Sequence, residues 1–224
     1  MKKLIIATAI VAASTASVAM ANDSKFGFDK PFLAVTIGTN TNDVNGIDST
    51  VAEYEALKTS EPSTYGSISS VKHTVDTGIQ AGANLVTITP KVALGAEIDA
   101  SYGFRGQEVK VNVTADNSIN KLHYTRYAID PMAYIAFSPI NKLSLKAKAG
   151  YGYQHLESTQ TGTSDYNAHK WEPVLAAEAG YSVINNVSII AGDRYTFGPK
   201  ADATTFKKPV PRENVVYVGV KYTF

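Results

Sequence analysis

The amino-acid sequence predicts an all-β protein, an eight-stranded antiparallel up-and-down barrel that spans a membrane. Three observations support this prediction. Apolar residues alternate with small or polar residues in eight segments, the connections between segments are alternately short and long, and the charged residues share one face with glycine. Since side chains alternate across a strand with period two, the two sets lie on opposite faces of each segment.

The first 21 residues are expected to be a cleaved signal peptide. Lys2 and Lys3 precede the apolar run LIIATAIVAA, and Ala19 and Ala21 form a small-x-small cleavage site. We therefore predict a signal peptide at 1–21, a short linker at 22–31 and a barrel at 32–224. The apolar run is too short for a membrane-spanning helix, and no run of about 18 apolar residues follows it.

Composition narrows the function classes. The leader holds two of the 21 basic residues and none of the 20 acidic ones, so the remaining chain has a formal charge of −1. Nucleic-acid binding usually needs a clear basic excess, and we do not expect it. The chain has no cysteine, which excludes disulfides, thiolate metal sites and cysteine nucleophiles. We expect neither a cofactor nor a metal.

The alternating segments define the predicted strands and connections. The clearest, KVALGAEIDASYGF, has about 14 residues, which is long for a soluble protein. Pro131 predicts a bulge or a weakened ladder in strand four, and Asp193 falls on the apolar face of strand seven. The predicted strands cover 32–39, 71–86, 91–104, 121–137, 143–156, 170–183, 187–197 and 215–224. Tight turns at 87–91, 138–141 and 184–186 alternate with long connections at 40–70, 105–120, 157–169 and 198–212, as in outer-membrane barrels.

The placement of charge decides which face meets lipid. A soluble barrel has an apolar interior, whereas here the charged residues share a face with glycine and serine and the other face is apolar. In eight strands the interior is just wide enough for side chains to fill it, so acids and bases can pair there. The predicted interior charge network comprises Asp76, Glu97, Asp99, Arg126, Asp130, Lys146, Lys148, Glu178, Arg194 and Lys221.

Aromatic residues cluster near the strand ends, which predicts two girdles at the membrane interfaces. The girdle near the loops would contain Tyr102, Phe104, Tyr151, Tyr153, Trp171, Tyr195 and Phe197. The girdle near the turns would contain Phe32, Phe137, Tyr181, Tyr222 and Phe224.

The signal peptide, the eight strands and the ending YVGVKYTF resemble the OmpA/OmpX-type family of eight-stranded outer-membrane β-barrels. The resemblance implies that Val218, Val220, Tyr222 and Phe224 form the insertion signal read by the barrel-assembly machinery. It also implies a bacterial outer-membrane location, contact with outer-membrane lipid and lipopolysaccharide, and a monomer. We expect no further periplasmic domain, because the sequence stops at the eighth predicted strand, unlike the longer members of the family.

In such a scaffold, function is expected in the loops. In the first loop, the capping-box pattern from Thr50 to Glu53 predicts a helix of about two turns within an acidic stretch. The last loop is basic, and its Lys207, Lys208 and Arg212 are candidate contacts for anionic groups such as lipopolysaccharide phosphates or host glycans. The alternative is that the two loops contact each other or are solvated.

We therefore expect a non-enzymatic envelope protein that contacts host or partner surfaces through its loops. One alternative is a lipid-modifying enzyme, since His73, His123, His155 and His169 all lie toward the loops, with Glu157, Ser158 and Asp165 nearby. These residues show no tight catalytic spacing and no metal-ligand spacing. The other alternative, a small pore, conflicts with an interior filled by side chains.

Overall fold

The computed structural model describes residues 29–40, 47–71, 73, 75–105, 108–113, 118–160, 166–198 and 212–224. In these residues the chain forms ten strands and one helix. The strands are β1 (Asp29–Asn40), β2 (Tyr65–Val71), β3 (Val75–Thr89), β4 (Val92–Arg105), β5 (Glu108–Val113), β6 (Ser118–Ile140), β7 (Leu143–Gln160), β8 (Tyr166–Ile184), β9 (Val187–Thr196) and β10 (Glu213–Thr223), and the helix α1 spans Ile47–Ser60. No helix in this part of the chain is long and apolar enough to cross a membrane.

Eight of the strands close into an antiparallel barrel in the order β1, β3, β4, β6, β7, β8, β9, β10. β10 pairs back onto β1 from Phe32↔Thr223 to Asn40↔Val215, so neither strand is left as an open edge. The predicted fold class is confirmed, including the pairing of the first and last strands.

The two ends of the barrel differ in their connections. Two-residue turns at 90–91, 141–142 and 185–186 lie at one end, which we call the turn end; in outer-membrane barrels such turns face the periplasm. Asn186 has a φ of 67°, a conformation that asparagine tolerates better than most residues. The opposite end, which carries the long connections, is called the loop end.

At the loop end the structure departs from the sequence prediction. Val71, the predicted start of strand two, ends β2 instead, and the barrel strand β3 begins at Val75. The predicted loop at 105–120 contains β5 and the first residues of β6. β2 pairs with β5, and β5 pairs with the first six residues of β6, so a three-stranded extension stands beside the barrel.

The helix α1 is longer than predicted. It begins at Ile47, before the Thr50 that was expected to cap it, and has 14 residues rather than two turns. Its Val51 and Tyr54 pack, together with residues of β2, against an apolar cluster formed by Val111, Leu156 and Ala168. We call the unit formed by α1, β2 and this apolar cluster the cap. Tertiary packing explains the extra length, since an isolated helix this short is marginal in water.

The outward face of the described barrel strands is mostly apolar, and Asp193 is the charged residue that breaks the predicted alternation of strand seven. Asp193 pairs in unbroken register with Ala177 and Val216 and is exposed on the outer surface, so its position reflects no register slip. Pro131 does weaken a ladder, as predicted, because the pairing of β6 with β7 skips residues 130–131 and then resumes in the same register.

The aromatic girdles are present except for Phe32. Among the predicted members, Tyr153 and Tyr195 are half-buried, the side chain of Phe104 lies outside the described part of the chain, and Phe32 is buried. The exposed members are Tyr102, Tyr151, Trp171, Phe197, Phe137, Tyr181, Tyr222 and Phe224. The prediction for Phe32 was wrong because this residue shares the inward parity of Ala34 and Thr36; Lys146 Nζ lies 3.9 Å from the centre of its ring.

Two glycines make room for tyrosines in the lumen. Tyr134 lies opposite Gly95 in the β4–β6 register, and Tyr217 lies opposite Gly192 in the β9–β10 register. A Cβ atom on either glycine would collide with the neighbouring tyrosine ring. The rings therefore fold back over the glycines, where Tyr134 donates a hydrogen bond to Asn84 (2.9 Å) and Tyr217 to Glu178 (3.1 Å).

Gly95→Leu should prevent normal folding, because the new side chain would overlap the Tyr134 ring and a backbone oxygen of β3. A folded barrel migrates differently on SDS gels before and after boiling, and the variant should lose this difference. Ala96→Leu is the matched control, since its side chain points outward and should leave the gel shift intact. Equal behaviour of the two variants would contradict the assignment of the two faces.

Candidate functional site

The structure brings the ten predicted interior charges together in the lumen. All ten are buried, and the most exposed of them, Lys146, retains 8% of its surface. The ion pairs of eight of these residues fall into two groups, one toward each end of the barrel. Because a buried charge is tolerated only when it is paired and hydrogen-bonded, these pairs constrain six barrel strands at once, β4, β6, β7, β8, β9 and β10.

The group nearer the turn end is centred on Lys148. Its Nζ lies 2.5 Å from Glu97 Oε1 and 2.7 Å from Glu178 Oε2, so this one ammonium links β4, β7 and β8. Two further lysines share the same carboxylates: Lys146 Nζ is 3.0 Å from Glu97, and Lys221 Nζ is 3.7 Å from Glu178. Lys221 thus lies next to Glu178, an acid that the period-two alternation predicts on the same inward face.

The group nearer the loop end contains both buried arginines. Arg194 lies 3.3 Å from Asp130, and Arg126 lies 3.2 Å from Glu213. Gln154 joins these pairs, because it accepts a hydrogen bond from Arg126 (2.7 Å) and donates one to Asp130 (2.6 Å). A cavity of about 20 Å³, bordered by Arg194, leaves room here for about one water molecule.

Sequence reasoning missed several members of this interior. Glu213 is buried in the network, but it precedes the predicted strand at 215–224. Glu172, Gln80 and Gln154 have the correct parity and are buried, and the parity was the signal that could have found them. The two glutamines were passed over because they are uncharged; they supply hydrogen bonds that carboxylates and arginines need in a dry interior.

The candidate loop contacts lie largely outside the described residues. Lys207 and Lys208 are among the residues that the structure does not describe, whereas Arg212 is described and exposed, immediately before β10. The predicted insertion signal is exposed on the outer face of the barrel. Val218, Val220 and Tyr222 lie in the half of β10 that reaches the turn end, and Phe224 follows directly after β10.

The histidines do not converge on one site. His155 and His169 face each other across β7 and β8, with His155 stacked on Tyr127 at 4.4 Å between ring centres. His123 lies 3.3 Å from Thr125 Oγ1 and 3.7 Å from Glu108. The latter distance is too long for a hydrogen bond, and Lys110 holds the same carboxylate at 2.8 Å. In the described residues, no three potential metal ligands come together.

The comparisons with known proteins agree with this architecture. The family model described as "Outer membrane protein beta-barrel domain" matches residues 5–224. The chain belongs to this family. Its place is therefore the bacterial outer membrane, with the apolar face of the barrel in lipid. No curated protein sequence matches the chain.

Several solved structures share the fold. Neisserial surface protein A is 15% identical, with a TM-score of 0.50, over 90% of this chain and 98% of that one. Ail, the attachment invasion locus protein of Yersinia pestis, is 11% identical, with a TM-score of 0.48, over 88% and 99%. The N-terminal β-barrel domain of Pseudomonas aeruginosa OprF is 13% identical, with a TM-score of 0.45, over 88% and 99%. At these identities the likeness concerns the fold alone.

Lys148→Met should lower the free energy of unfolding by roughly 3 kcal/mol, the lower end of the range for breaking a buried ion pair. The loss should not be larger, because Lys146 and Lys221 still neutralise part of the charge of Glu97 and Glu178. Urea titration of the barrel in lipid vesicles, followed by Trp171 fluorescence, measures this. Lys110→Met is the control; the Lys110 side chain is 47% exposed, so the change should stay below about 1 kcal/mol. Similar losses in both variants would contradict the central role of Lys148.

Expression of the protein should leave lipid A unchanged, because His123 lies 3.7 Å from Glu108, beyond hydrogen-bond distance, and Lys110 holds the same carboxylate. Mass spectrometry of lipid A from cells that produce the wild type, His123→Ala or an empty vector should give identical spectra. A modification that appears with the wild type and disappears with His123→Ala would show that the protein is an enzyme.

Proposed function

We propose that this protein is a non-enzymatic surface protein that contacts other surfaces, such as host or partner cells, through its loop end. The observation that carries the proposal is the ordered extension of the barrel beyond the membrane. A membrane-spanning strand needs about 9–11 residues. β6 has 23, β7 has 18 and β8 has 19 residues, so these strands continue well past the lipid.

The extension is a folded platform. β2 and β5 widen it, and the cap fixes α1 against its apolar cluster through Val51 and Tyr54. A preformed surface loses less conformational entropy on binding than a set of flexible loops does. Such a platform suits recognition of another surface, and the paired side chains of the lumen leave little room for conduction.

Charge supports a contact with anionic groups. The exposed side of α1 carries both an acid, Glu55, and a base, Lys58. The segment before β10, in contrast, is mainly basic and ends in the exposed Arg212. β1 and β10 pair as far as Asn40↔Val215, so the connections that leave them start side by side. Lys207, Lys208 and Arg212 are the residues we propose to attract lipopolysaccharide phosphates or sulfated and acidic glycans.

Replacement of Lys207, Lys208 and Arg212 with glutamine should weaken binding to heparin and to cells by about ten-fold at low salt, on the scale of roughly 0.5 kcal/mol for each exposed ionic contact. Binding of purified barrels in vesicles to immobilised heparin measures the effect. Lys58, Lys110 and Lys121, replaced together with glutamine, form a control with the same change in charge elsewhere at the loop end. Unchanged binding in the first variant, or equal losses in both variants, would refute this contact.

The outward residues at the end of β10 support a second role. Val218, Val220 and Tyr222 pair with Ile37, Val35 and Leu33 of β1, and the rings of Tyr222 and Phe224 meet at 5.0 Å. We propose that they are read by the barrel-assembly machinery before the barrel closes, while β10 is still an unpaired edge.

A further inference from the structure

The turn end of the barrel encloses a cavity of about 200 Å³, which we call the vestibule. Its floor is formed by the rings of Phe32 and Tyr134, inside the barrel. Its wall contains Lys146 and Lys221, and its outer border contains Lys30, Lys91 and Lys142, which we call the rim lysines. Because the two-residue turns form the border, the vestibule opens on the side that faces the periplasm.

The vestibule is strongly basic. Among the described residues that line it there are five lysines and no aspartate, glutamate or arginine. The nearest acids are Glu97 and Glu178, which Lys146, Lys148 and Lys221 already share, and Asp29, which accepts a hydrogen bond from Thr87. Even when Asp99, close to Lys148, is added, six ammonium groups face four side-chain carboxylates.

The rim lysines carry the excess charge. Lys146 is held by Glu97 and by the faces of Phe32 and Tyr134, at 3.9 and 4.1 Å from the ring centres. None of the three rim amines makes an ion pair with a described residue. Six ammonium groups against four side-chain carboxylates leave an excess of two positive charges, and the three rim amines border a single concave space.

The backbone places Lys30 toward this space at a conformational cost. Lys30 has a φ of 51°, in the left-handed region that residues with a Cβ rarely adopt, and the β1–β3 register shifts between Asp29 and Phe32. Such irregularities re-aim side chains, and strained backbone is concentrated at functional sites. An ordinary extended continuation of β1 would have kept the strict alternation of the rest of the strand.

We propose that the vestibule binds the phosphate group of a small periplasmic ligand or of a lipid headgroup. Lysine suits phosphate as a point charge, whereas carboxylates are matched better by the planar fork of arginine, which the described lining lacks. Serine and threonine hydroxyls, including Ser138, Ser144 and Thr89, surround the lysines and can donate further hydrogen bonds. The volume is below that of ordinary drug-sized sites, which limits the ligand to about the size of a headgroup.

Titration with glycerol phosphate tests the proposal. The wild-type barrel in octyl glucoside, a detergent without phosphate, should show saturable shifts of backbone amide resonances around 90–91 and 141–142 at millimolar concentrations. Replacement of Lys30, Lys91 and Lys142 with glutamine should weaken binding by at least about ten-fold, as expected for the loss of three lysine contacts. These side chains are exposed and take no part in the lumen pairs, so the variant should still show the heat-dependent gel shift.

The matched control replaces three lysines of the loop end, Lys58, Lys110 and Lys121, and should bind glycerol phosphate like the wild type. The absence of saturable shifts in the wild type, or equal affinity in the rim variant and the wild type, would overturn the proposal. Equal weakening in the control would also overturn it, since the binding would then follow net charge rather than the vestibule.

A second arm identifies the source of the phosphate. If lipid headgroups fill the vestibule in phosphatidylglycerol nanodiscs, added glycerol phosphate should not shift the amide resonances around 90–91 and 141–142 of the wild type. Replacement of the rim lysines should change these resonances in the same nanodiscs. If the ligand is soluble, binding in these nanodiscs should match binding in octyl glucoside. Both results support a phosphate site, and each assigns a different occupant. The outcome is independent of heparin binding at the loop end, so the two proposals fail separately.

Discussion

The pairing of buried charges around Lys148 is the interaction on which the rest of the structure depends. One ammonium group binds carboxylates from β4 and β8, and Lys146 and Lys221 bind the same two carboxylates from β7 and β10. Each member is buried in a lumen that eight strands leave barely wide enough for side chains. Unpaired, any one of these charges would be strongly destabilising; paired, they require β4, β7, β8 and β10 to meet in one register. The glycines opposite Tyr134 and Tyr217 serve the same end, because they provide the space in which the tyrosine hydroxyls reach Asn84 and Glu178.

The two ends of the barrel are separated by the filled lumen and differ in their chemistry. At the loop end, apolar residues of β5, β7 and β8 are covered by α1 and β2, and the long strands carry this unit beyond the lipid. At the turn end, short connections leave a basic vestibule above Phe32 and Tyr134. The first feature supports the proposed contact with other surfaces, and the second supports the proposed phosphate site. The barrel between them separates the two, since its interior side chains are committed to one another.

Much of the barrel was predictable because alternation reports directly on the environment of each face. The segment 91–104 places Glu97 and Asp99 on one face and Leu94 and Ile98 on the other, and the structure buries the first pair and exposes the second. Phe32 shows the limit of reasoning by residue type: its parity is inward, but its aromatic character suggested a girdle. At the loop end the pattern is weaker. β2 and β5 are short, and they form because β6 provides a partner edge, which no local pattern reports.

The sequence by itself determined the number of barrel strands, the tight turns, most of the inward and outward faces and the set of residues that could pair inside. These follow from period-two alternation and from turn chemistry, which are local properties. Only the tertiary structure decided which charges pair, that α1 extends to 14 residues when it packs against the apolar cluster of the cap, and that five lysines from distant segments border one cavity. The physical reason is that these features depend on strand register and barrel closure, which bring together residues more than 100 positions apart, such as Lys30 and Lys142.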